Sequence, residues 1–290
     1  MQRDDLSIPD GWRALEISDW HGPILVFGAS DSGKSTFARY LYARLVEHHA
    51  HVGFLDTDIG QSSFGLPATI TIALNQGKED PAFPPGGARR VYFVGSNTPC
   101  GYTCQVLAGL YRTMLFALEK RADALVVDTS GFVEPARGGA DLKWAKVEML
   151  RPCTVVALQH AQELELILAP LRCLPGVRLF EFPVSEATRM RAREERRAYR
   201  AACYRQYFQD AAQIPLPYDR LAVFPERLFT PGRLVALENR DGFAMALALL
   251  ERADGTIVWL RTPWSGEGRV AALHLGDLRI DLQTFQDAPL

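Results

Sequence analysis

GASDSGKST, running from Gly28 to Thr36, satisfies the pattern G-x-x-x-x-G-K-[ST] at every fixed position, with Gly28, Gly33, Lys34 and Ser35 in the required places. The apolar run Pro23 to Phe27 precedes it and FARYLYARL follows, an order that predicts strand, tight loop and helix. Gly28, Ala29, Ser30, Asp31, Ser32, Gly33, Lys34, Ser35 and Thr36 are therefore the expected phosphate cradle. The successive backbone N–H groups of Ala29 to Lys34 point into such a loop, and the helix N-terminus adds positive potential. Lys34 is expected to reach the β and γ oxygens of a nucleoside triphosphate, and the Ser35 hydroxyl to hold Mg2+. A glycine-rich turn that only lets strand and helix approach would account for the two glycines but not for Lys34 and Ser35.

Working outward, HVGFLDTD (51–58) reads as a short buried strand ending in carboxylates, and FLDTDIGQ continues to Gln61. ADALVVDTSGF (122–132) is a second apolar strand with a polar tip at Asp128. RRVYFVGS, CTVVALQ and VRLFEFPV supply further strands, and Val106, Leu107, Leu110, Met114, Leu115 and Leu118 recur at helical spacing from Thr103 to Arg121. A loop rich in Gly and Pro spans Lys78 to Ala88. Strands alternating with helices predict an α/β fold of the P-loop NTPase type, a mostly parallel sheet with helices on both faces. After Pro215 to Tyr218 the pattern becomes β-rich, with turn signals at Arg240-Asp-Gly, Asp254-Gly and Gly266-Glu-Gly. The expected division is a P-loop domain over 1–220, containing an Arg-rich lid at 185–208, and a small β-rich C-terminal domain over 221–290.

Composition excludes several function classes. Of 290 residues, 48% are hydrophobic and 23% charged, which suits a folded globular chain. No apolar stretch reaches the length of a membrane span, and MQRDDLSIPDG lacks the basic flank and apolar segment of a secretion signal, so the cytoplasm is the expected compartment and no membrane partner is expected. The five cysteines are scattered and odd in number, which predicts buried thiols rather than a disulfide framework. Cys100 and Cys104 lack further ligands close in sequence, and His48, His49 and His51 sit where a helix should end, where its dipole favours them. A net charge of -2 argues against a surface built for long duplex DNA. The segment Ser185 to Phe208 nonetheless sets seven arginines against three glutamates.

Three carboxylates, Asp56, Asp58 and Asp128, end strands expected beside the P-loop, where one would serve an ordinary ATPase. The surplus suggests an alcohol acceptor: Asp58 is the first choice for the base that orients the hydroxyl and takes its proton. Asp56 or Asp128 would then bind Mg2+ directly or through water, and Gln61 could orient an acceptor or a phosphate. Arg196 and Arg200, four apart on one helix face, can meet one phosphate cluster together, or can instead be ion-paired to Glu195 and its neighbours on a solvated helix.

The P-loop, D-x-D-x-G-Q at Asp56 to Gln61, FVGSNTPCG, DTSGFV and the Arg-rich helix ending in YF resemble the polynucleotide 5'-hydroxyl kinase family. That family includes the kinase subunit of the eukaryotic messenger-RNA cleavage factor and ribosomal-RNA processing kinases. The motif order matches over about 24 to 208, and the β-rich tail is similar to that of compact prokaryotic members. The resemblance implies transfer of the γ-phosphate of ATP or GTP to the 5'-hydroxyl of RNA, with DNA as a further candidate acceptor; a monomer is expected. It implies Asp58 as general base, Thr98 and Pro99 in a clasp for the nucleic-acid end, and Arg191, Arg196 and Arg200 as lid arginines. Phe132 stands where relatives often carry Trp, and either ring can stack on a terminal base. Lys143 and Trp144 form a basic and aromatic pair on the same side, with a core role equally open to Trp144. Competing readings are a P-loop NTPase switch acting on a protein partner, a small-molecule kinase, and a nucleotide-bound scaffold. No N-K-x-D string for guanine is present, and no RRM or KH signature supports sequence-specific RNA reading.

Overall fold

The computed structural model describes residues 8–75, 77 and 82–290, so part of the Lys78 to Ala88 loop lies outside the described residues. In chain order the first elements are α1 (Asp10–Arg13), β1 (Gly22–Gly28), α2 (Lys34–His48), β2 (Val52–Thr57), β3 (Thr69–Leu74), β4 (Arg89–Phe93) and α3 (Thr103–Glu119). Next come β5 (Ala124–Thr129), a 3-10 turn at Pro135–Arg137, α4 (Gly139–Leu150), β6 (Thr154–Gln159), α5 (Glu165–Leu171), β7 (Arg178–Pro183) and α6 (Arg193–Tyr207). The rest is strand: β8 (Ala212–Pro217), β9 (Ala222–Phe224), β10 (Arg233–Glu238), β11 (Ala244–Asp254), β12 (Ile257–Thr262), β13 (Ala272–Ile280) and β14 (Asp287–Pro289).

The chain forms two compact units, Met1–Thr57 with Ile72–Arg89 and Met114–Arg191, and Asp58–Thr71 with Arg90–Thr113 and Ala192–Leu290. In the first unit β2, β5, β1, β6 and β7 lie side by side in that order, every pairing parallel. β2 and β5 are buried at every residue, which is why their sequences read as continuous apolar runs and not as alternations. The P-loop helix α2 buries Phe37, Ala38, Leu41, Tyr42, Leu45 and Val46, a stripe of helical spacing that packs along β1, β2 and β5.

The second unit is built on an antiparallel sheet ordered β14-β13-β10-β11-β12-β8, with β9 parallel to β13. Both of its faces are covered. Leu234, Ala236, Leu247 and Leu249 pack with Ala68, Phe93, Tyr204 and Phe208, while Val235, Leu237, Ala248 and Leu250 pack with Val258, Leu260 and Leu273 on the other side. The Arg-rich helix α6 thus belongs to this core, held by Ala201, Tyr204 and Phe208 on one stripe. The proline-containing stretch at which the sequence pattern changes is strand β8, paired with β12 from Ala212 to Pro217. Pro215 and Pro217 are tolerated because β8 is a sheet edge, where a missing N–H breaks no inner ladder.

Candidate functional site

β1 delivers the loop to α2 through Gly28, which can carry no side chain. A Cβ there would collide with Ser32 Oγ, meet Leu158 O at 2.8 Å and meet Lys34 Cγ at 2.9 Å. Gly33, at φ +86, occupies the left-handed region that glycine tolerates and turns the chain into α2. Inside this loop the Lys34 Nζ donates to Ala29 O at 2.7 Å, and the buried Ser32 Oγ has no hydrogen-bond partner. The DTSG tip closes against the loop: a Cβ on Gly131 would stand 2.5 Å from Ser30 N. A cradle of backbone amides with no room for added side chains fits a phosphate.

Asp56 on β2 and Asp128 on β5 are register partners on adjacent parallel strands, 1% and 0% exposed, so their side chains leave the same face. Two carboxylates so placed need positive charge against them. With the half-buried Ser35 at the start of α2, this donor set suits a hard divalent cation.

Two lysines on α4 reinforce these strand tips. Lys146 Nζ donates to Thr57 Oγ1 at 2.7 Å, and Thr57 Oγ1 in turn donates to Asp128 O at 2.9 Å. Lys143 Nζ donates to Thr129 Oγ1 at 2.9 Å and to Ser130 O, and Thr129 Oγ1 donates to Val26 O at 2.7 Å. Lys143 is fully buried, so it acts on the tip of β5 from within. Lys146 escaped sequence reasoning, although a second lysine three residues on in the apolar run KWAKVEML marks the same inward face.

Asp31, in the left-handed region at φ 58, accepts from both Arg191 N and Arg191 Nε at 2.9 Å. Arg191 is therefore brought to the P-loop, in a fork-like grip on one carboxylate. Phe132 is half-buried, with the Arg137 guanidinium 5.8 Å from its ring centre. Arg137 is a second residue the sequence did not single out. Trp144 is half-buried on α4.

In the second unit, the chain leaving β2 folds into a tight turn on Asp58. Its Oδ1 accepts from Gly60 N at 3.1 Å and Gln61 N at 3.0 Å, which fixes the carboxylate's direction. Gln61 Nε2 donates to Gly60 O at 2.8 Å and to Arg196 O on α6 at 3.3 Å. One turn along α6, Tyr199 Oη donates to Ser62 O at 2.7 Å. The helix begins on half of a capping box, Glu195 accepting from Ala192 N at 2.7 Å.

Thr98 and Pro99 sit in a turn knotted by Ser96, whose Oγ donates to Thr98 O at 3.2 Å and accepts from Thr98 N at 3.3 Å. Arg200 faces the buried Asp287 of β14, its Nε 3.1 and 3.2 Å from the two oxygens. Arg200 of α6 is thus held by a carboxylate that no sequence motif marks. All five cysteines are free, but none is buried as expected: Cys104 and Cys173 are exposed and the other three half-buried; no cluster of potential metal ligands occurs among His, Cys, Asp and Glu of the described residues.

A family described as mRNA cleavage and polyadenylation factor CLP1 P-loop matches residues 28–210. The polyribonucleotide 5'-hydroxyl-kinase of Methanocaldococcus jannaschii is 32% identical over 233 residues, 79% of this chain and 63% of that protein. The protein of the same name from Thermococcus kodakarensis is 32% identical over 244 residues, covering 83% and 65%. The chain therefore spans less than two thirds of the length of these relatives. A CLP1 homolog of Arabidopsis thaliana is 26% identical over 216 residues, 71% of this chain and 48% of its own. Among solved structures, a Clp1p-Pcf11p complex superposes with a TM-score of 0.68 at 16% identity, over 91% of this chain and 76% of that one, a likeness of fold. With more than half its residues matched, the chain belongs to the CLP1 P-loop family.

Proposed function

We propose that the protein transfers the γ-phosphate of ATP or GTP to the 5'-hydroxyl end of RNA, and to DNA ends as a further acceptor. The observation that carries this reading is the tip of β2. There the register-paired Asp56 and Asp128 are followed two residues on by Asp58, a third carboxylate aimed by two backbone N–H groups. A hydrolase needs no such third group, whereas an acceptor alcohol needs one to orient its proton. The family match and the names of the archaeal relatives support the same reading.

In this assignment the loop amides of Ala29 to Lys34 and the Lys34 ammonium bind the donor phosphates. Mg2+, held by Ser35 with Asp56 or Asp128, would offset the charge of the transferring group. Asp58 accepts the proton of the 5'-hydroxyl. Arg191 and Arg196 stabilise the phosphoryl oxygens, and Phe132 stacks on the terminal base. Gln61, Thr98 and Pro99 hold the acceptor, and Lys143 positions the β5 tip. Recognition of an end needs backbone contacts and one or two stacked bases, not a sequence reader.

The test is transfer of label from γ-labelled ATP with Mg2+ to matched 5'-hydroxyl RNA and DNA oligonucleotides, with 5'-phosphorylated copies as controls. Label confined to 5'-hydroxyl ends is the expected result. Phosphate release without labelled ends would reject transfer in favour of a hydrolytic switch.

A further inference from the structure

Asp287 opens the edge strand β14, and its side chain is only 4% exposed. A carboxylate so buried must be compensated. Its partners come from two distant parts of the second unit. Arg200 of α6, 16% exposed, sets its Nε against both oxygens, and Asn97 donates from Nδ2 to Oδ2. Asn97 immediately precedes Thr98 and Pro99.

Each partner leads onward to the turn on Asp58. The carbonyl of Asn97 lies 2.7 Å from where a Cβ on Gly60 would stand, so only glycine lets the two segments approach. Arg200 sits one turn beyond Arg196, whose carbonyl receives Gln61 Nε2, and Tyr199 between them holds Ser62 O. One buried carboxylate from the C-terminal strand therefore joins the lid helix, the segment Asn97 to Pro99 and, through both, the loop Asp58 to Ser62.

We infer that Asp287 is a positioning residue for the acceptor: it holds Asn97 and Arg200 in fixed relation, so that the C-terminal strand sets how a 5'-hydroxyl end is presented. This rests on the kinase reading above. It also assigns Arg200 to the support of the lid helix and leaves the phosphate to Arg191 and Arg196. The charge of Asp287 is what the arrangement needs, because an amide at that position would oppose an N–H donor to at least one of its two partners.

The experiment compares the full chain with Asp287→Asn, Asn97→Ala and the double variant, using ATP and a 5'-hydroxyl RNA oligonucleotide. Each single variant should raise the acceptor KM by about tenfold, the order of a hydrogen bond to a charged group, with ATP affinity changed less than about twofold. The double variant should be no worse than the worse single one, because both break the same link. Glu238→Gln, which breaks the buried Glu238–His274 pair of the same sheet, should lower Tm without moving the acceptor KM. Equal KM shifts in Glu238→Gln and Asp287→Asn would reduce Asp287 to general stability and overturn the inference. Faster transfer in Asp287→Asn would also overturn it, since Asp287 would then restrain Arg200. Hydrogen exchange at Asn97, Thr98 and Cys100 gives a readout independent of activity: it should quicken in Asp287→Asn, and unchanged protection sinks the link. Absence of transfer by the unaltered protein, with exchange behaving as expected, would count against the kinase reading alone.

Discussion

Asp58 owes its expected function to two backbone hydrogen bonds that fix where its carboxylate points. Asp58→Asn keeps an oxygen able to accept from Gly60 and Gln61 while losing the basicity that proton removal needs. Transfer should fall by roughly 10²–10⁴-fold, the usual yield of general base catalysis, while ATP binding stays within a few-fold of the unaltered protein. Near-normal transfer by this variant would place the base elsewhere. Arg191 and Arg200 show why like residues in one run need not act alike. The first, 44% exposed, grips the buried Asp31 carboxylate of the P-loop; the second, 16% exposed, is bound to the buried Asp287. Arg191→Ala should lower stability by about 1–3 kcal/mol, because the Asp31 carboxylate that it leaves short of a donor is only 3% exposed, and should also slow transfer markedly. Thermal melts beside single-turnover rates separate the two effects, and an unaltered rate would remove Arg191 from the site.

α4 illustrates how an element away from the P-loop shapes its chemistry. Its two buried lysines end on Thr57 and Thr129, the residues that close β2 and β5 just beyond Asp56 and Asp128. Lys146→Met should destabilise the fold by about 1–3 kcal/mol, because a charged donor to Thr57 is lost from a dry interior. Chemical denaturation measures this directly, and an unchanged midpoint would mean that the ammonium contributes nothing net. Helix α6 was legible as an arginine-rich helix from its composition, and the spacing of Ala201, Tyr204 and Phe208 allowed a packed stripe. Its assignment to the core of the β-rich unit was not legible, since periodicity shows that a face is buried without showing against what.

At the scale of the whole molecule, the second unit carries an alkaline liability. Tyr102 donates to Asp277 Oδ2 at 2.8 Å, and burial, then this hydrogen bond, push its phenol up to about 12. The folded state thus holds the Tyr102 proton in a range where the unfolded chain, near 10, has lost it. Stability must fall as pH rises from about 10 to about 12 and is insensitive to this group below that window. Tyr102→Phe should flatten that part of a Tm-against-pH curve; an identical slope in the variant would show that another group governs the alkaline loss. Edge strand β8 shows the corresponding limit of reading a whole fold from local signals. Two prolines in IPLP argue locally against a strand, and they are admissible in a sheet because β8 is its edge, with no strand beyond it among the described residues.

Local chemistry in the sequence was sufficient for the P-loop, for the parallel strands that present Asp56 and Asp128, and for the hairpins β10–β11 and β11–β12, but not for the turn signal at Gly266-Glu-Gly, which joins β12 and β13 that are not sheet neighbours. Each of these depends on residues close together in the chain: glycines where backbone must approach, apolar runs where both faces are covered, turn residues between strands. The partners that aim the site come from far along the chain, with Asp31 and Arg191 160 residues apart, Asn97 and Asp287 190 apart, and Lys146 and Thr57 89 apart. No periodicity or motif links such pairs, because a long-range hydrogen bond leaves no trace in either local segment. Packing within each finished unit brought them together, and with them came the pairing of Arg191 with Asp31 and of Arg200 with Asp287.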